Sequence, residues 1–549
     1  MAGPSMSIRG SLLGRKSLQS SARSLLPLPT FLAPSVSVPS RVDRRHKSSA
    51  STPDAPEKKS LKDKYNYNTS IDFDGEPDPD HVRWRRVTAA DLVARKEPPT
   101  RVKMLVRDFI DDSLYNPNYG YFSKNATIFT PPKEGFDIPT FRDTAHFQET
   151  VAEVYEREYG LEQTEGAKGG LSRQVWHTPT ELFKPWYAVS LISAIIQSYK
   201  LYHFPSEPLV IYEVGAGNGS FMVDAMRYIK ENHPEIYPKT SYRIIEISAA
   251  LAKGQKERAE KEGFGSKVQV LNRDFFKWEG VSDGEQPCYV VALEVFDNLA
   301  HDMVRYELDT LEPRQAVVGI DASGEFSLLY EPIHDPLINR VLSYRRLLPP
   351  SPATSPPLAK PLLVSESLRK LYTSLPFAPN MSAPDFLPTK AVLFAEKLRE
   401  KLPGHRLLMA DFDKLPEAVE GRNGPVVQTR YGNSMVPCET FLVKQGYFDI
   451  FFPTDFEHFR DLYSVIMNSP SVTAPQPPPP SAFNPASKIS RDFFSHSSGV
   501  KGFRRRNVGI YTHAEFLEKY GGKEVLDKTR VRDGGNVMTG MYANAKMLF

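Results

Sequence analysis

Val210-Ile-Tyr-Glu-Val-Gly-Ala-Gly-Asn-Gly-Ser220 starts as a largely apolar run and ends as a glycine turn. Phe221, Met222, Met226 and Ile229 follow at the spacing of one helical face. A strand that breaks into glycines and reopens as a helix lets backbone come close to a ligand, because no Cβ stands between them. Two details narrow the ligand. Gly215, Gly217 and Gly219 are spaced GxGxG, whereas a dinucleotide fold places its third glycine one position later, for helix packing beside the pyrophosphate. Glu213 stands just ahead of them, which suits a ligand carrying an ammonium group and suits a pyrophosphate badly. S-adenosylmethionine carries that ammonium and a sulfonium, so the pattern favours it over a nicotinamide.

The next segments repeat the strand–helix alternation. Tyr242-Arg-Ile-Ile-Glu-Ile247 reads as a second strand, and its Glu246 stands where a doubly wound sheet keeps an acid for ribose hydroxyls. Val268-Gln-Val-Leu271 reads as a third strand, with Asp274 and Phe275 beyond it, placed to accept an adenine amine and to pack against the ring. Tyr289-Val-Val-Ala-Leu293 is apolar enough for a buried central strand and terminates in Glu294-Val-Phe-Asp-Asn-Leu299. Open α/β sheets hold ligands at the carboxyl ends of their strands, so Glu294 and Asp297 are the candidate reaction centre. Met303 to Leu308, Ala316 to Asp321 and Phe326 to Tyr330 read as strands of a hairpin extension, and Arg406 to Asp411 as a late sheet strand.

At 549 residues the chain exceeds one ordinary domain, and its net charge of +3 is too small to argue for nucleic acid. Two cysteines, Cys288 and Cys438, suit a reducing compartment. No apolar run reaches about 18 residues, so no membrane span is expected. Arg9, Arg15, Lys16, Arg23, Arg41, Arg44, Arg45 and Lys47 lie among serines and leucines with Asp43 as the one acid before residue 50. That composition is the signature of a mitochondrial transit peptide. The organisation expected is a transit peptide over 1–50, a disordered linker over 51–87 and a helical, substrate-side region over 88–200. A cofactor-binding core with insertions then covers 201–467, and a proline-rich linker with a C-terminal tail covers 468–549.

Three of these motifs, with an aromatic turn, carry a resemblance. Glu213-Val-Gly-Ala-Gly-Asn-Gly219, Ile245-Glu-Ile-Ser248 with Leu251 and Gln255, Glu294-Val-Phe-Asp-Asn-Leu299 and the turn Asn116-Pro-Asn-Tyr-Gly-Tyr121 resemble the MidA-type methyltransferases. Thr178-Pro-Thr-Glu181 and Asp411-Phe-Asp413 are similar to further segments of that family. The resemblance implies a class I methyltransferase-like, Rossmann-like α/β sheet, doubly wound, with inserted helices and a β-hairpin extension. It also implies S-adenosylmethionine as cofactor, with Glu213, Gly215, Gly217, Gly219 and Glu246 in its motifs; Asp274 and Phe275, read from their place beyond the third strand, complete the expected cofactor site, with a solvated, turn-capping Asp274 the equal alternative. The implied activity is symmetric (type II) dimethylation of an arginine on a complex I subunit of the quinone-reducing module, in the mitochondrial matrix, supporting assembly of that complex.

Methyl transfer from a sulfonium is an in-line displacement, so the protein must hold the nucleophile in line and place negative charge near a cationic acceptor. An arginine is protonated at neutral pH, with a pKa above about 12, and Glu294 and Asp297 are the carboxylates expected to grip it. No metal site is expected. Two other readings stay open: a methyltransferase fold kept as an inactive assembly scaffold, and an NAD-dependent oxidoreductase, which the glycine spacing opposes.

Overall fold

The computed structural model describes residues 79–124, 126–132, 135–165, 174–280, 287–431, 434–468 and 508–549. The expected transit peptide, the linker up to residue 78, the proline run 470–480 and the basic triplet at 504–506 lie outside the described residues.

The glycine stretch sits in the middle of a seven-stranded sheet. Its strands are β1 (Leu209–Val214), β2 (Thr240–Glu246), β3 (Val268–Asn272), β4 (Cys288–Leu293), β5 (His405–Phe412), β6 (Ile510–Thr512) and β7 (Ala545–Leu548). Across the sheet they run β6-β7-β5-β4-β1-β2-β3. Strands β1 to β5 are parallel, with Val214 beside both Ile245 and Ala292, and Ala410 beside Leu293. β7 is antiparallel to both of its neighbours, pairing Asp411 with Lys546 and Tyr511 with Met547. Strand order reverses on either side of β1, which opens a crevice at the carboxyl ends of β1 and β4.

All six residues of β1 are buried because both faces of the sheet are covered. Leu209 and Ile211 join one core with α1 (Trp186–Tyr202), α2 (Ser220–Asn232) and Phe516 and Leu517 of the C-terminal helix His513–Lys528. Val210, Tyr212 and Val214 alternate into a second core on the other face, with the helices Pro336–Leu347, Thr389–Lys401 and Phe456–Asn468. The doubly wound α/β architecture expected from the sequence is the one found.

Residues 508–549 are more than the tail that was expected. They supply β6, β7 and a sixteen-residue helix, with Met547 and Leu548 fully buried. The stretch from 125 to 172, polar and poorly periodic in sequence, contains the helix Thr144–Glu165. Strands Ala126–Ile128 and Gln174–Trp176 pair in parallel on its flanks.

A second sheet of six strands carries the expected hairpin extension. Pro313–Ile320 and Phe326–Pro332 pair from Arg314↔Pro332 to Ile320↔Phe326, and Asp302–Tyr306 lies on the other side of the hairpin's first strand. The hairpin turn is fixed by Asp321, whose Oδ1 accepts the backbone N–H groups of Ser323, Gly324 and Glu325 at 2.7–2.9 Å. No helix of the described residues is long and apolar enough to cross a membrane. Cys288 and Cys438 are both buried and not bonded to each other.

Candidate active site

A cavity of about 1340 Å³ occupies the crevice. The glycine loop, the carboxyl ends of β1, β2 and β4, the aromatic turn near Tyr115 and the C-terminal residues Met541, Tyr542 and Asn544 all line it.

Gly215, Gly217 and Gly219 have φ of +69°, +52° and +74°, the left-handed region that costs a side-chain-bearing residue energy. Space is tight as well: a Cβ on Gly217 would lie 2.8 Å from Ile128 Cδ1 and one on Gly215 3.1 Å from Val295 Cγ2, so those side chains would have to shift. Gly219 leads directly into α2 and is its N-cap, so the free amides of the first helical turn open beside the loop.

Glu213 is buried and accepts a hydrogen bond from Tyr242 Oη at 2.7 Å. Burial pushes its carboxyl up to about 7, with Glu246 adding to the rise and the tyrosine opposing it. Glu246 accepts from Ser248 N at 2.9 Å through Oε1 and from Gln255 Nε2 at 3.0 Å through Oε2. Burial raises it too, against these donors. With the Ile247 backbone N–H as a third donor, the carboxylate still keeps acceptor capacity for a ribose hydroxyl. Gln255 also donates to Gly217 O at 2.8 Å, tying the loop to this acid, while its own Oε1 is buried with no hydrogen-bond partner.

Asp274 lines the cavity and caps the turn that follows it, accepting from Phe276 N at 2.9 Å. Phe275 reaches the cavity wall, and its ring stacks on Phe394 with centroids 4.3 Å apart. One face of Phe275 is therefore already covered by protein. A glycine-rich loop, a buried acid before it and a second acid with spare acceptor capacity together fit S-adenosylmethionine: an ammonium group, a ribose and a close backbone approach.

At the end of β4 the chain turns sharply. Glu294 has φ +52°, and its N–H donates to Ala410 O at 2.9 Å. Asp411, fully buried, holds the rest of the turn: Oδ2 accepts from Phe296 N at 2.8 Å and Asp297 N at 3.1 Å, and Oδ1 from Phe412 N at 2.7 Å. Glu294 and Asp297 both line the cavity. Burial lifts Glu294 well above the usual carboxylate range, with Asp297 and Asp411 adding to the effect, and pushes Asp297 up to about 7. Asp449, on the strand Asp449–Phe451, is raised by burial and by Asp297. Asp297 Oδ1 and Asp449 Oδ2 are buried without hydrogen-bond partners. No group of three or more candidate ligands among the described residues is placed to hold a metal.

The aromatic turn, which by itself reads as a satellite cluster, walls the same cavity. Tyr115 and Phe122 stack with centroids 5.3 Å apart, and Tyr115 Oη donates to Asn298 O at 3.0 Å, touching the Glu294–Leu299 turn. Asp112 anchors it by accepting from Asn116, Tyr119 and Gln445. His301 is a structural residue: its ring stacks on Phe452 at 3.9 Å, and burial lowers its pKa to about 3. His177 lies in the cavity wall beside Phe129, lowered to about 4 by burial.

The architecture and the glycine cleft can now be set beside known proteins. A family model described as "Putative S-adenosyl-L-methionine-dependent methyltransferase" matches residues 191–471. The chain belongs to that family. The resemblance to the MidA-type methyltransferases is borne out at the level of the family, and S-adenosylmethionine is the cofactor of this methyltransferase. A curated relative, the mitochondrial protein arginine methyltransferase NDUFAF7 homolog of Schizosaccharomyces pombe, is 22% identical to it over 343 residues, covering 59% of this chain and 67% of that protein. Among solved structures, one from Burkholderia thailandensis with S-adenosyl-homocysteine bound matches at TM-score 0.38 and 14% identity, covering 71% of this methyltransferase and 78% of that chain. A native structure from the same organism matches at TM-score 0.39 and 12% identity, covering 86% and 93%.

Proposed function

We propose that this methyltransferase modifies a protein arginine, forming symmetric dimethylarginine on a subunit of the quinone-reducing module of mitochondrial complex I, in the matrix and in support of that complex's assembly. The observation that carries the acceptor class is the Glu294–Asp297 turn in the wall of the cofactor cavity. Ten carboxylates line that cavity against three lysines and arginines, in a chain whose net charge is +3. Buried carboxyls of raised pKa ionise most readily when a cation enters among them. Two carboxylates facing one guanidinium offer the paired acceptors that an arginine's fork satisfies and a lysine's point charge does not require.

When bound, S-adenosylmethionine supplies an electrophilic methyl group on a sulfonium. Glu294 and Asp297 hold the guanidinium and aim one nitrogen along the displacement line. The proton that the methylated nitrogen must lose would pass to one of these carboxylates, and Asp297, raised to about 7, is well matched to take it. Tyr115 and the C-terminal Tyr542 line the same cavity.

The likeness to the mitochondrial protein arginine methyltransferase homolog of Schizosaccharomyces pombe and the basic, acid-poor stretch before residue 50 support the compartment and the acceptor. Glu294 argues against an inactive scaffold. It is a non-glycine residue held at φ +52° in the wall of the cofactor cavity, a conformation that costs about 1–3 kcal/mol. The test is incubation of the full chain with methyl-labelled S-adenosylmethionine and the subunits of the quinone-reducing module, with the products fragmented by mass spectrometry. Symmetric dimethylarginine on one subunit is the expected result. Label on lysine, or on none of the subunits, would overturn the assignment.

A further inference from the structure

We infer that Glu181 is the positioning residue of the glycine loop, through which the substrate-side region sets affinity for the amino-acid half of S-adenosylmethionine. This rests on the cofactor and not on the identity of the acceptor.

Glu181 stands in the short helix Pro179–Leu182, whose start is capped by the Thr178 side chain accepting from Glu181 N at 3.2 Å. The cap fixes the direction in which the carboxylate leaves the backbone. That direction is the loop: Glu181 Oε1 accepts from Ser220 Oγ at 2.8 Å and from Asn218 Nδ2 at 3.1 Å, the two residues on either side of Gly219. Arg258 grips the same pair, donating to Asn218 O at 3.0 Å and to Ser220 Oγ at 2.9 Å. Lys184 Nζ stands 3.9 Å from the other oxygen of Glu181. The carboxylate is 3% exposed.

A buried carboxylate is expensive unless its partners hold, so this arrangement tolerates little movement of Asn218 and Ser220. The loop needs such a clamp. Three left-handed glycines in five residues give it more conformational freedom than any other stretch of the core, and a ligand would have to freeze that freedom on binding. Glu181 removes it in advance, which is how preorganisation raises affinity. The same side of the loop meets the region before residue 200 twice more: Ile128 packs on Gly217, and Thr130 Oγ1 lies 3.4 Å from Asn218 Nδ2. Glu181 therefore acts through Asn218 and Ser220 and is a positioning residue.

The loop and Glu213 suit the amino-acid half of the cofactor, while Glu246 and Asp274 suit its nucleoside, and this separates the readouts. Calorimetric titrations of the full chain would use S-adenosylhomocysteine and 5′-methylthioadenosine, which keeps the nucleoside and the sulfur but lacks the amino acid. Glu181→Ala should weaken S-adenosylhomocysteine at least about tenfold and 5′-methylthioadenosine less than about threefold. Glu181→Gln, which keeps an acceptor oxygen, should bring S-adenosylhomocysteine back to within about threefold of the parent. Ser220→Ala, which removes the other end of the bond, should repeat the selective loss and stands in for Glu181→Ala if that variant does not fold. Equal losses for both ligands, no loss for S-adenosylhomocysteine, or a glutamine variant as impaired as alanine would overturn the inference.

Discussion

At Glu294 two costs meet in one residue: a left-handed backbone and a carboxyl that burial, Asp297 and Asp411 keep from ionising easily. Both are tolerable if the side chain must meet a cation at that point. Glu294→Gln keeps the shape and removes the charge, so turnover should fall by at least about a thousandfold. S-adenosylhomocysteine should bind this variant as it binds the parent, and a variant that still methylates would remove Glu294 from the reaction. Asp297 sets a second expectation. If it takes the proton, kcat/KM should rise with pH through about 7, and Asp297→Asn should abolish that limb. Stability runs the other way. Asp297 and Glu213 titrate near 7 in the fold and near about 4 in the unfolded chain, so between those values the fold binds more protons. Their contribution is fully present below about pH 4 and is lost as pH rises through about 7. Thermal melts of the ligand-free protein should therefore drift downward from pH 5 to pH 7.5. Glu213→Gln should flatten part of that drift; an unchanged slope would mean Glu213 is already ionised in the fold.

At the scale of elements, the strands around the glycine loop were legible because each is a short apolar run with an acid or a turn at its carboxyl end. β1, β2 and β3 follow one another as β-α-β repeats, β4 comes after the short 3-10 turn Phe275–Lys277, and pattern alone separates them. β6 and β7 were not legible. Ile510-Tyr-Thr and Ala545-Lys-Met-Leu are too short to show a period, and they follow a proline run that looks like the end of order. Their burial comes from β5 and from α1, which no local signal reveals. Glu181 stands in the motif Thr178-Pro-Thr-Glu181, yet its target, Ser220, lies on another element, and only the folded chain joins them. The C-terminal strand should behave as core: Met547→Ala, at a site with no exposure, should cost about 2–5 kcal/mol and lower the melting temperature. A change below about 0.5 kcal/mol would mean β7 can leave the sheet without unfolding it.

For the whole molecule, the cofactor cleft lies where the carboxyl ends of the seven-stranded sheet, the aromatic turn and the C-terminal segment converge, and ligand occupancy should brace all of them. S-adenosylhomocysteine at a hundred times its Kd should stabilise the fold by about 2.7 kcal/mol, seen as a rise in melting temperature, with NADH giving none. Equal shifts from both ligands would contradict the GxGxG reading. The way β7 completes the sheet also bears on how the protein comes into being. A ribosome delivers the glycine loop early and Tyr542, Asn544 and β7 long afterwards, yet all border one cavity. During synthesis the cavity therefore lacks one wall until residues 541–548 have emerged. Closing the sheet between such distant parts of the chain is a slow, late event, and the methyl donor's site gains its last wall only then.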